Sequence, residues 1–170
     1  YAALFLALCL VLPMLTGQIP QIGSMLLPMH IPVLLCGLVC GWQYGAAVGF
    51  VAPLLRSVLF GMPPMYPVAI AMAFELLTYG LVIGLVYRRM AQKGAAGVYA
   101  ALLTAMVAGR LVWGVAEVVL LGLGGKAFTA QTFLAGALLN AVPGIIVQLV
   151  LIPAVMAVLQ KAGAVKEYAE

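Results

Sequence analysis

Between Leu27 and Arg89 the chain runs through three apolar stretches, and two ionisable residues, Arg56 and Glu75, sit inside them with His30 at an entrance. In a solvated domain such groups turn to water. Within stretches this continuous they need ionic partners, a water-filled cavity or a ligand. The stretches are cut by Pro28 and Pro32, by the Gly41 to Gly45 segment, and by Gly61-Met62-Pro63-Pro64. Composition then excludes a soluble fold. Hydrophobic residues make up 66 % of the chain and charged ones 7 %, against about 25 % charged in an ordinary globular protein. Aspartate is absent altogether. At 170 residues the chain has the length for one integral-membrane domain, 1–170, and no room for a sizeable soluble one.

Apolar length and punctuation predict six helices, at about 1–15, 32–41, 45–60, 66–88, 97–121 and 132–159. The fold class expected is therefore all-α: a compact bundle of six transmembrane helices. The first run is short for a bilayer crossing of about 20 residues, which points to a trimmed start. It is too continuous with the bundle to read as a cleaved signal peptide, although that alternative stands. The 16–27 segment contains Gly17, Pro20 and Gly23 but stays apolar, as a loop folded back over the bundle would. Pro32 suits the first turn of the second helix. Gly41 to Gly45 reads as a tight turn, and Pro143 and Pro153 as kinks in the sixth helix.

Loop charges set the orientation. Arg88, Arg89, Lys93, Lys161 and Lys166 fall on one side and Lys126 alone on the other, which predicts cytoplasmic termini by the positive-inside rule. His30 and Arg56 then lie near the outer surface and Glu75 and Arg110 near mid-membrane. The net charge of +4 is that of a membrane anchor, with no nucleic-acid partner implied. Lipid is the expected surrounding.

The polar residues inside the helices carry whatever chemistry the chain has. Arg110, Trp113 or Gly114, and Glu117 share one face of the fifth helix, with about 10 Å between Arg110 and Glu117. Glu75 and Tyr79 are neighbours on the fourth. Asn140 and Gln148 are roughly one stripe on the sixth. Two readings stand: Arg56, Glu75, Arg110 and Glu117 pair among themselves and fix the packing, or at least one faces a cavity open to the outside. Trp113 suits stacking on a planar ligand or plain core packing; Trp42 suits an interfacial anchor. Ala3 with Ala7, and Gly45, Ala46 and Gly49, present small surfaces for close helix approach.

Other chemistry finds little support. One histidine cannot supply bis-histidine haem ligation, and no nucleotide, serine-hydrolase or zinc-protease motif is present. Cys9, Cys36 and Cys40 lie in apolar runs and read as buried small side chains, without the companions of a metal site. Neither metal nor cofactor is expected. The rival classes are a membrane-embedded enzyme and a small structural or assembly subunit whose charges only pair with one another.

The run LPMHIPVLLCGLVCGWQYGAAVGFVAPLLRSVLFGMPP, together with AIAMAFELLTYGLVIGLVYRR, resembles the substrate-binding S component of energy-coupling factor (ECF) vitamin transporters. The Ala3 and Ala7 pair is similar to that family's small-residue motif for docking the coupling subunit. The resemblance implies capture of a vitamin or related micronutrient from outside. It implies partnership with a transmembrane coupling subunit and two cytoplasmic ATPases, toppling in the membrane to release the cargo, and a multi-pass location in a bacterial plasma membrane. ATP hydrolysis would rest on the partners, so this chain would be no enzyme. In the family the ligand is held by the first outer loop and the outer parts of helices four to six. Carried over, this implies Met29, His30, Glu75, Tyr79, Trp113, Glu117 and Asn140, with Arg56 as an addition. Arg110 joins them as an intramembrane cation on the face of Trp113 and Glu117. Which nutrient is bound does not carry over.

Overall fold

A computed structural model describes residues 1–16, 27–90 and 94–165. The expected outer loop over 17–26, and Lys93 and Lys166 of the charge argument, lie outside the described residues. Among the described residues every element is helical. The helices are α1 (Ala2–Val11, tightening into a narrower turn over Leu12–Thr16), α2 (His30–Cys40), α3 (Trp42–Phe60), α4 (Met65–Met90), α5 (Ala95–Leu123) and α6 (Ala130–Lys161). Of these, α3, α4, α5 and α6 are long and apolar enough to cross a membrane; Ala2–Leu15 and His30–Cys40 are shorter apolar helices.

Faces are assigned by membrane logic. On α5 the exposed residues include Leu103, Val107, Leu111, Val115 and Val118, a stripe at the three-to-four spacing of one helix face. Its opposite face buries Leu102, Ala105, Met106, Gly109 and Glu117. Apolar side chains on the outside and a carboxylate on the inside suit a hydrocarbon surrounding. The core is formed by Phe5 and Cys9 of α1, Val33, Leu34 and Leu38 of α2, Leu76, Tyr79 and Ile83 of α4, Leu102 of α5, and Ile152 and Met156 of α6. Helix α4 packs between α3 and α5, α2 lies on both α3 and α4, and α6 leans on α5 and α2.

Four local expectations are corrected. The turn between α2 and α3 is a single residue, Gly41 at φ 96°, and not the whole 41–45 segment. That positive φ is accessible to glycine at no steric cost and reverses the chain at once. Gly45 is thereby free to serve as a contact surface. Helix α2 opens at His30 and carries Pro32 in its first turn, where the missing N–H has no intrahelical partner to lose. Pro143 kinks nothing. A wide turn over Ala135–Leu139 and a break at Asn140 and Ala141 come first, and Pro143 sits in the first turn of the restarted helix Val142–Lys161. The break also shifts the helical phase, so Asn140 is exposed and Gln148 buried; the two do not form one stripe.

Two polar ties fix the ends of the bundle. At one end the Tyr66 hydroxyl donates to the Leu120 carbonyl, holding the start of α4 to the end of α5. At the other, Gln160 Nε2 donates to the Tyr87 hydroxyl oxygen at 2.9 Å, joining α4 to α6. Tyr87→Phe should lower stability by about 0.6 kcal/mol and by no more than about 1.7 kcal/mol, the range for hydrogen bonds between membrane helices. Unfolding of the purified variant in mild detergent, beside Gln160→Leu and the double variant, measures the coupling directly.

Candidate functional site

Helices α2, α4 and α5 bring three ionisable side chains together in the core. Glu75 of α4 is 1 % exposed, and its Oε1 lies 3.0 Å from Arg110 Nη1 of α5 and 3.3 Å from His30 Nε2 of α2. Tyr79, one turn along α4, meets the His30 ring edge-on with centroids 5.1 Å apart. Its ring rests on the bare backbone of Gly109, where a Cβ would come within 2.9 Å. Glycine at that point of α5 is what lets the tyrosine fill the centre of the bundle.

Glu75 is shared, and the sharing is incomplete. His30 Nδ1 and Nε2, Glu75 Oε1 and Arg110 Nη2 are all buried with no aligned hydrogen-bond partner among the described residues. The contacts to Glu75 thus have ion-pair distance without hydrogen-bond direction. Buried polar atoms are nearly always paired, and in a bundle core there is no bulk water to substitute. Such a group of atoms at one point is a polar centre that its own side chains do not fully satisfy.

The other expected site residues fall around this centre or away from it. Trp113 is half-buried one turn beyond Arg110, whose guanidinium carbon lies 5.7 Å from the indole centroid. The indole meets Phe128 edge-on at 5.8 Å and stacks on Phe133 at 6.1 Å. Gly136 lies beneath it: a Cβ there would come within 2.7 Å of the indole. Glu117 is buried on the same face of α5. Met29 is buried at the mouth of α2, its carbonyl accepting from Cys9 Sγ at 3.7 Å. Arg56 stands apart. Its Nη1 donates to the Leu10 carbonyl of α1, and its guanidinium lies 5.1 Å from the Phe60 ring centroid. Asn140 is exposed at the break in α6, and Ala3 and Ala7 are exposed on one side of α1.

Two expectations about the charges therefore change. His30 is not at an outer entrance; α2 begins deep in the bundle and holds it at the level of Glu75. The four charges do not all pair among themselves, as one of the two sequence readings had it: among the described residues Glu75 takes Arg110 and His30, Arg56 takes a backbone carbonyl, and Glu117 has no ion pair. Gln148, read from the sequence only as sharing a stripe with Asn140 and left out of the expected site, is 1 % exposed, and its Nε2 also has no hydrogen-bond partner among the described residues. An amide in the run IIVQLVLIP was the available signal. Among the described residues no group of three or more histidine, cysteine and acidic side chains is arranged to hold a metal ion.

Fold and site together define a helical membrane protein with a charged, incompletely paired centre. The chain matches the family model of the ECF transporter substrate-specific component over residues 1–156, and it belongs to that family. Its members are transport subunits, not enzymes. Neither a curated relative nor a solved structure matches it.

Proposed function

We propose that the chain captures a small water-soluble vitamin or related micronutrient from outside at the His30, Glu75, Tyr79 and Arg110 centre. It then passes the molecule inward with a transmembrane coupling subunit and two ATPase subunits. The supporting observation is the cluster of buried polar atoms lacking partners among the described residues, set in an otherwise apolar bundle. Small-molecule sites combine apolar walls with a few convergent polar groups. Here Tyr79 and Trp113 supply flat surfaces, and His30, Arg110 and Glu117 supply orienting charge. Met29 adjoins it at the start of α2, and the proposed set keeps Arg56 and Asn140, which stand away from the centre. Mass spectrometry of small molecules retained by the gently solubilised protein is the direct test. A parent protein that retains nothing, and binds no nutrient in a calorimetric screen, would end the capture reading.

The reading includes six crossings with both termini in the cytoplasm, α1 and α2 being short spans, in a bacterial plasma membrane. Lys126 would then face outside and Arg89 inside; both are exposed. With Cys9, Cys36 and Cys40 replaced, an impermeant thiol reagent on intact cells should label Lys126→Cys and spare Arg89→Cys. The reverse pattern would invert the topology.

Docking to the coupling subunit is assigned to Ala3 and Ala7, which leave a flat exposed strip on α1. Ala3→Leu combined with Ala7→Leu should abolish co-purification with the coupling subunit and leave substrate binding by the isolated chain intact. Simultaneous loss of both properties would mean that the strip is needed for the fold.

A further inference from the structure

Gln148 is a buried polar side chain that the proposed site leaves unused, and its position in the bundle follows from the ties between the helices. Tyr66 on Leu120 joins the first turn of α4 to the last of α5, and Phe133 lies against Gly114 near the start of α6. The starts of α4 and α6 are therefore at one end of the bundle, and the two helices run in the same direction. The bond between Tyr87 and Gln160 sets their register at the other end. Glu75 is twelve residues before Tyr87 and Gln148 twelve before Gln160, about 18 Å along each helix at 1.5 Å per residue. Both residues are 1 % exposed. Gln148 thus turns into the bundle interior at the depth of Glu75 and the Arg110 that contacts it.

Arg110 Nη2 can only donate, and Gln148 Nε2 donates as placed. Both atoms have no hydrogen-bond partner among the described residues. Arg110 Nη1 lies 3.0 Å from Glu75 Oε1, and Arg56 is occupied with the Leu10 carbonyl. The carboxylate acceptor at this depth, Glu75 Oε1, faces Arg110 Nη1 and His30 Nε2 at 3.0 and 3.3 Å, which leaves Arg110 Nη2 and Gln148 Nε2 as donors with nothing opposite them among the described residues. We propose that the substrate presents an acceptor oxygen, of a carboxylate or a carbonyl, to Arg110 Nη2 and Gln148 Nε2, so that Gln148 is a specificity-determining residue of the site. This rests on the capture reading above and adds the chemistry of the captured group. Glu75 keeps Arg110 in place, and the guanidinium edge left over meets the substrate.

The test uses the purified full chain as parent, Gln148→Leu and Gln148→Glu. In ligand-free protein, Gln148→Leu removes a stranded amide at similar volume and should raise the unfolding temperature by about 2–12 °C. A fall instead would show that the amide is satisfied within the protein, and would overturn the inference. The compound released on denaturing the parent, identified by mass spectrometry, is then the calorimetric probe. It should carry a carboxylate or carbonyl and bind Gln148→Leu about 5- to 150-fold more weakly. It should bind Gln148→Glu more weakly still, because an acceptor then faces an acceptor. A carboxylate probe should suffer the larger loss through charge repulsion, which separates it from a neutral carbonyl. Unchanged binding to Gln148→Leu, tighter binding to Gln148→Glu, or a probe without an acceptor oxygen would refute the inference while leaving capture standing. A parent that retains no compound and binds no nutrient in the calorimetric screen removes the capture reading and this inference with it.

Discussion

Glu75→Ala is expected to abolish substrate capture and to lower the unfolding temperature by roughly 10 °C. Glu75 Oε1 is the point on which Arg110 and His30 converge, at 3.0 and 3.3 Å, inside the core. Removing one member of a buried ion pair strands the other, at about 3–5 kcal/mol. The loss should be insensitive to salt, because buried charges are screened far less than surface ones.

The double variant Glu75→Leu with Arg110→Met separates a structural role from a binding role. Replacing a buried pair by apolar residues of similar volume is often neutral or stabilising, so stability should return to that of the parent or above. Binding of the retained compound should not return, because the Arg110 guanidinium that meets it and the Glu75 carboxylate that places that guanidinium are gone. Thermal unfolding and calorimetry on the single and double variants give the four values needed. Recovery of binding together with stability would mean that the charges only hold helices together, and would move the site elsewhere in the bundle.

Legibility in the sequence differed between the charges and their partners. Arg56, Glu75, Arg110 and Glu117 stood out because a charge inside a long apolar run has few innocent explanations. Their pairing did not, since His30 and Glu75 are 45 positions apart (75 − 30) and nothing local links them. Depth along the membrane was estimated from loop charges, which ignored that α2 can begin deep; hence His30 was expected at an entrance. Gln148 carries no charge and drew less notice than Asn140, though the phase shift at Ala135–Leu139 puts the first inside and the second outside. In lipid both faces of a helix are apolar, so the period that reveals the buried side of a soluble helix is largely lost. Small residues were the better guide to packing: Gly45 and Gly49 were legible as close-approach positions, and the structure supplies their counterparts on α4.

At Gly80 of α4 the helices leave no space for any side chain. A Cβ there would lie 2.1 Å from the Gly45 carbonyl oxygen, 2.2 Å from its carbon and 2.7 Å from the Ala46 nitrogen. The contact is reciprocal along the seam, since a Cβ on Gly49 would meet the Leu76 carbonyl oxygen at 2.2 Å and one on Gly45 would meet Gly37 Cα at 2.7 Å. These obstacles are backbone atoms, so no rotamer change relieves them; a whole helix has to move. Overpacking typically costs about 1–3 kcal/mol and more when the backbone must shift. Gly80→Ala should therefore destabilise at the upper end of that range or beyond, and Gly80→Leu should prevent assembly of α2, α3 and α4. Gly122 is the control: it lies in α5 with nothing within 4 Å of a Cβ. There alanine should be neutral or stabilise by about 0.5–1 kcal/mol through helix propensity. Because Glu75 and Tyr79 ride on the same helix as Gly80, prying α4 from α3 also draws the carboxylate away from His30, and Gly80→Ala should weaken capture as well as stability. Size-exclusion profiles, thermal unfolding and calorimetry on Gly80→Ala, Gly80→Leu and Gly122→Ala measure all three effects. If Gly80→Ala proves as stable as Gly122→Ala, the backbone contact between α3 and α4 is not what positions the site.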